Sequence, residues 1–199
     1  MWWRTTLLRS TLMLPPRGDV QWQRALEESG VLGLLAAFDP RIAGTFPLGL
    51  DLPGSDIDVV CHAADLDAFA DAVWENFAGR DGFALWQWTR APRAVIAGFR
   101  LAGVPFEIFG SPEPVDEQAG WRHFLVEHKL LELGGAALSQ AVRAERARGA
   151  KTEPAFARVL GLADDPYAAM LALEAAGEAQ WRARLAAAGF SLPGQTETL

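Results

Sequence analysis

The strongest constraint on this chain lies between Gly44 and Val60. There a Gly44-Thr45 step and a Pro53-Gly54 turn lead into the stretch Ser55-Asp56-Ile57-Asp58-Val59-Val60. A short apolar run bounded by turn residues reads as a strand. Successive strand residues point to opposite faces, so Asp56 and Asp58 share one face while Ile57 and Val59 take the other. Two carboxylates side by side repel each other unless a cation lies between them. Hard oxygen pairs suit magnesium, which proteins commonly hold through one or two carboxylates together with substrate phosphates. Gly44 and Gly49 suit another task, because glycine takes backbone angles closed to other residues and lets amide groups approach a bound anion.

In order and spacing these residues resemble the signature of the nucleotidyltransferase superfamily of the polymerase-beta type. That signature is a Gly-Ser step, a second glycine four residues past the Ser, and then Ser-Asp-hydrophobic-Asp. Here Thr45 stands for the Ser and keeps a hydroxyl, Gly49 is the second glycine, and Ser55-Asp56-Ile57-Asp58 completes the pattern. The resemblance implies a third acid on a later strand. Glu107, in Val104-Pro105-Phe106-Glu107-Ile108-Phe109, is the candidate, as an acid in an otherwise apolar segment. It further implies that Asp56, Asp58 and Glu107 act as catalytic residues and ligands of magnesium, with manganese as the alternative ion. An NTP would be the substrate, with Gly44, Thr45, Gly49 and Ser55 forming its phosphate-binding turn. No Lys or Arg lies between Thr45 and Asp56, so cations for the phosphates must come from elsewhere.

The second half narrows the resemblance. Glu107-Ile108-Phe109-Gly110, Gln118-Ala119-Gly120-Trp121-Arg122-His123, Val126-Glu127-His128, Lys151-Thr152-Glu153-Pro154-Ala155-Phe156-Ala157 and Asp165-Pro166-Tyr167 are similar, in that order, to a bacterial nucleotidyltransferase-like family known as domain of unknown function 4269. The likeness runs from about residue 20 to 190. It implies the fold and metal chemistry but leaves the acceptor unassigned. It brings in Arg122, His123 and Glu127 as nucleotide or supporting contacts; because a triphosphate needs cations, Lys151 and, separately, Lys129 are candidates to meet it.

A chain of 199 residues that is half hydrophobic can bury a sizeable core. Its net charge of −7 argues against a nucleic-acid polymer as principal partner, because phosphate binding needs concentrated Lys and Arg. Cys61 is the only cysteine, which excludes an internal disulfide and points to a reducing, cytoplasmic compartment. No apolar run reaches the roughly 20 residues that span a bilayer. Residues 1–19 read as a poorly ordered extension, with Met13 as an alternative start, and 191–199 as a frayed tail.

Between them, an α+β fold is expected: a nucleotidyltransferase-like mixed sheet with flanking helices over 20–112, then a helical half over 113–190 packed on it. The pattern predicts a first helix to about Phe38 and a strand over Arg41–Phe46. Next come a strand over Asp56–His62 and a helix over Asp65–Gly79 whose inner face includes Trp74. Strands follow over Phe83–Thr89, Arg93–Leu101 and Val104–Phe109, the last two joined by an Ala102-Gly103 hairpin turn. Helices are expected over Asp116–Leu133, Ala136–Arg148, Glu153–Leu160, Pro166–Ala176 and Glu178–Ala188. Trp86 and Trp88 alternate on one strand face and read as packing residues. The basic run Arg143, Arg146, Arg148 and Lys151 reads first as a solvated helix end.

Two functions remain open at this point. One is magnesium-dependent transfer of a nucleoside monophosphate from an NTP to a small-molecule or protein acceptor. The other is a catalytically silent module of the same fold that binds a nucleotide or a partner.

Overall fold

The computed structural model describes residues 20–191; the expected extension over 1–19 and all of the tail beyond Ser191 lie outside the described residues. The fold is α+β. Five strands form one mixed sheet in the order β1-β2-β5-β4-β3, with β1 Arg41–Ala43, β2 Ile57–His62, β3 Asp81–Trp88, β4 Ala94–Leu101 and β5 Val104–Ser111. Only β2 and β5 run parallel; every other neighbouring pair is antiparallel. The β4–β5 hairpin turns on Ala102 and Gly103, both at positive φ (51° and 81°), the combination a tight two-residue turn with native twist demands.

One face of the sheet is sealed by α1 (Val20–Ser29), the short α2 (Val31–Leu34) and α4 (Leu66–Phe77). Asp65 caps α4, its carboxylate accepting from the amides of Asp67 and Ala68 at 3.0 Å each. Phe69, Val73 and Phe77 then fall at helical spacing onto Ile57, Val59, Cys61, Val95, Ala97, Phe99, Phe106 and Ile108. Gly110 is glycine because a Cβ there would lie 2.2 Å from the Phe69 ring.

Past Ser111 the chain becomes helical: α5 Ala119–Ala147, α6 Thr152–Val159, α7 Pro166–Ala176 and α8 Glu178–Ala187. Their core, centred on Leu130, Leu138, Val142, Phe156, Met170 and Leu185, continues onto Ala43, Leu48, Leu50 and Val60 of the strand half. α5 is broken at Gly135 (φ 59°, ψ −152°), close to where the Gly134-Gly135 pair divides the expected helices.

Four expectations are corrected. The first helix does not run to Phe38: Gly30 in the left-handed region ends α1, and a short turn of helix and a 3-10 segment complete the span. Thr45 and Phe46 are not strand but open a four-residue helix, α3 (Thr45–Leu48). Its Pro47 is tolerated because the amides of a first turn have no intrahelical partner to lose. Trp74 is 60% exposed, edge-on to Phe83 rather than in the core. Trp86 and Trp88 are also exposed among the described residues (44% and 54%), on β3, the edge strand of the sheet.

Among the described residues, no helix is long and apolar enough to cross a membrane.

Candidate active site

The second face of the sheet carries the charge. Its register aligns Ala43 of β1, Asp58 of β2, Glu107 of β5 and Gly98 of β4 in one row across the strands. Asp58 and Glu107 are direct neighbours on a parallel pair, where strands lie about 4.8 Å apart. The expected convergence of the later acid on the aspartate strand is therefore a matter of strand order. Asp56 sits one residue before β2 and lines the same cleft.

Gly44 is fitted against this row. Its φ of 73° favours glycine, and a Cβ there would lie 1.7 Å from Asp58 Oδ2. The backbone of the Gly44-Thr45 step thus presses directly on the carboxylate, with the buried Thr45 starting α3 beside it.

Burial pushes the Asp58 carboxyl up to about 7, with further contributions from Asp56 and Glu107. Burial also raises Glu107, Asp56 adds to this, and Lys151 opposes it. Carboxylates this unfavourable to ionise are held where a cation would relieve them. As placed, no three His, Cys, Asp or Glu side chains among the described residues stand close enough to enclose a metal ion.

The opposite wall comes from the helical half. The cleft, about 480 Å³, is lined there by Gln118, His123, Glu127, Arg146, Lys151 and Glu153, facing Gly44, Thr45, Asp56, Asp58 and Glu107. His123 is buried, its Nε2 3.0 Å from the Tyr167 carbonyl oxygen and its Nδ1 3.5 Å from Glu153 Oε1. Glu127 is buried one turn further along α5, and burial together with Glu153 raises its carboxyl well above the usual range.

The remaining expected residues lie elsewhere. Gly49 ends α3 and Ser55 accepts from the Leu52 amide at 2.9 Å; both shape the loop between α3 and β2 without lining the cleft. Arg122 points to Glu174, 2.6 Å away, and Lys129 to Glu132 at 2.6 Å, so neither reaches the cleft.

Two residues have a role the sequence reading missed. Arg143 is exposed and Arg146 half-buried at the helix end, and both also hold the loop. Arg143 donates to the carbonyl oxygens of Gly49 and Asp51, and Arg146 to that of Leu50, clasping the loop to the helical half. The signal available was their spacing of three on one helix, which aims both at the same neighbour.

Three buried side-chain atoms among the described residues lack a hydrogen-bond partner: Gln118 Oε1, Glu127 Oε1 and Arg146 Nε. All three residues line this cleft. Buried polar groups are nearly always satisfied, so their concentration in one place marks where a ligand or water belongs.

Residues 24–173 match the model of a family described as a domain of unknown function (DUF4269). No curated protein matches the chain in sequence. Among solved structures it is similar to one described as the GLD-2/RNP-8 complex, with a TM-score of 0.52 and 8% identity over 78% of this chain and 63% of that one. It is also similar to the Cid1 poly(U) polymerase with MgGTP bound, at 0.51 and 16% over 78% and 50%. Cid1 described for its RNA terminal uridylyl transferase activity gives 0.52 and 16% over 78% and 47%. The chain thus spans between 47% and 63% of the length of these proteins, and the likeness is one of fold.

Proposed function

This chain belongs to the family described as a domain of unknown function (DUF4269), and on that footing we propose that it transfers a nucleoside monophosphate from an NTP to an acceptor. The observation that carries this reading is the in-register pairing of Asp58 with Glu107, with the Gly44 backbone pressed on the Asp58 carboxylate. The fold shared with Cid1, described as a poly(U) polymerase, supports it.

Asp56, Asp58 and Glu107 are the oxygen donors whose chemistry suits magnesium or manganese, which they would hold on drawing closer together, and such an ion would oppose the burial that raises the Asp58 and Glu107 carboxyls. Bound there, such an ion would neutralise phosphate charge as the bond to the leaving group lengthens. The chain's own residues would do the rest. The amides at the start of α3 and the Thr45 hydroxyl would hold the outer phosphates, and Lys151 would supply the positive charge missing from the loop. Glu107 would take the proton of the attacking hydroxyl. The oxygen then bonds to the α-phosphorus as its bond to the β-phosphate oxygen breaks, and pyrophosphate leaves with that electron pair. Positioning and electrostatics carry most of such a transfer.

The test is pyrophosphate release from each NTP with magnesium, wild type beside Asp58→Asn, using a desalted lysate supplemented with small metabolites as acceptor. Release that falls about a thousandfold or more in the variant is expected. Release unchanged by the substitution overturns the reading, and nucleotide binding without any release identifies the silent module instead.

A further inference from the structure

Nothing among the described residues requires Gly98 to be glycine. It lies within β4, between β5 and β3, where a bare position weakens a strand. Its φ is not positive. A Cβ there would meet only ordinary contacts, 3.6 Å from the Phe106 carbonyl oxygen and 3.8 Å from the Trp86 ring. Gly44 and Gly110, by contrast, are each held to glycine by a clash. A strand glycine that neither its backbone nor its neighbours demand marks a place where a ligand comes close.

The second observation is what surrounds that bare position. Gly98 pairs directly with Glu107. Two residues along each strand, and so on the same face, Phe109 pairs with Ile96 and Ile96 with Trp86. The floor therefore runs from the Glu107 carboxyl across Gly98 to an exposed indole, with no side chain rising from Gly98 between them. Trp86 and Ile96 continue into a cavity of about 340 Å³ that Trp88, Thr89 and Arg90 also line. Pro92, in the loop that follows, lines the acid cleft itself. In-line geometry gives this floor a direction. The outer phosphates of the proposed transfer lie at the Gly44-Thr45 step, which follows β1 at one edge of the sheet. An attacking oxygen enters opposite the departing pyrophosphate, and the side of Asp58 and Glu107 away from β1 is that of β4 and β3.

We propose that Gly98 and Trp86 form the acceptor subsite of the proposed transfer reaction, and that it takes a small molecule with a planar unsaturated ring on the Trp86 indole and a hydroxyl about 4.8 Å away, one strand spacing, at Glu107. The inference rests on the transfer reading and names its acceptor class. Trp86, Trp88 and Arg90 offer flat indole and guanidinium faces, on which such a ring stacks. Arg90 alone is cationic among the described residues lining the cavity, too little charge for the backbone of a nucleic acid. The acceptor oxygen forms the bond to the α-phosphorus and its proton passes to Glu107. The bond from that phosphorus to the bridging oxygen breaks, and pyrophosphate departs with its electron pair.

The experiment uses the full chain beside Trp86→Ala and Gly98→Val, whose side chain would stand on the floor, with Gly98→Ala in its place should urea unfolding show the valine to disturb the fold. Calorimetry with 2-phenylethanol, 2-cyclohexylethanol and triadenylate reads the ring preference. Pyrophosphate release with magnesium, NTP and the lysate pool reads the half-saturating acceptor concentration, and nucleotide binding is titrated separately. The unsaturated ring is expected to bind about three- to tenfold more tightly than the saturated one, a preference lost in Trp86→Ala. Half-saturation by the pool should rise about tenfold in both variants with nucleotide binding unchanged. Equal binding of the two rings, binding of neither, or preference for triadenylate overturns the proposal. Asp58-dependent release that is indifferent to Trp86 and Gly98 would overturn this subsite and leave the transfer reading intact. Trp86-dependent ring binding in a chain that neither binds nucleotide nor releases pyrophosphate would overturn the transfer reading and the acceptor role with it.

Discussion

On the face turned to α1 and α4, the central strands present Ile57, Val59, Cys61, Val95, Ala97, Phe99, Phe106 and Ile108, all buried among aromatic and branched side chains. On the other face the same strands present Asp58, Val60, Ile96, Gly98, Glu107 and Phe109, and next to them the exposed Trp86 and Trp88. The difference teaches that stability and chemistry are separated by one residue of strand register. The sealed face can be filled because it needs only volume and apolarity. The open face holds carboxylates whose mutual repulsion the sealed face must offset. A one-residue slip of β2 would exchange the two, which is why both patterns specify the register so strongly.

The comparison breaks most sharply at Phe77. Its side chain is fully buried and stacks on Phe99 at 5.1 Å between centroids. Phe77→Ala should cost about 3–5 kcal/mol in urea unfolding, from lost transfer energy and the cavity left behind. A loss below 1 kcal/mol would mean that the helix-covered face is not the main source of stability.

Asp58 should behave in the opposite sense. Its carboxyl sits at about 7 in the folded protein against 3.8 as the ordinary value, so the folded state binds the extra proton between those limits. Stability in chelator-treated protein should therefore fall as pH rises from about 4 to about 7, by at most about 1.4 kcal/mol per pH unit from this group. Above about 7 its contribution is level. Asp58→Asn should flatten that slope and raise the melting temperature at pH 8 while abolishing transfer. Added magnesium should stabilise the wild type more than the variant. Wild type and variant with identical pH profiles would remove the electrostatic strain from the account.

How much of this was legible beforehand follows the same division. The acid row was readable because period-two alternation and turn residues act locally: Asp56 and Asp58 announce their shared face, and Ala102-Gly103 its hairpin. That Glu107 would neighbour Asp58 was an expectation of the resemblance, since strand order depends on contacts far apart in sequence. The clasp of Arg143 and Arg146 on the Gly49–Asp51 carbonyls joins residues more than 90 apart: their spacing of three puts both on one helix face, but nothing local names the loop that face meets. The break of the first helix at Gly30 was missed because one glycine inside an apolar period is compatible with a continuing helix. Trp74, Trp86 and Trp88 misled for a simpler reason. Large apolar residues are usually covered, and nothing in the local sequence states that β3 is an edge.

The smallest expected effect tests that last point. Trp86 is 44% exposed on β3, opposite Ile96, with its ring 3.8 Å from where a Cβ on Gly98 would lie. Truncation removes a partial contact with the sheet but opens no cavity, because solvent already reaches the ring. Trp86→Ala should change stability by less than about 1 kcal/mol, in the range of surface substitutions and well short of Phe77→Ala. Urea unfolding of the two variants side by side gives the ratio directly. A cost for Trp86 comparable to that of Phe77 would mean that the outer face of β3 is covered in solution, and the contrast between a sealed and an open face would then hold only for the row of Asp58 and Glu107.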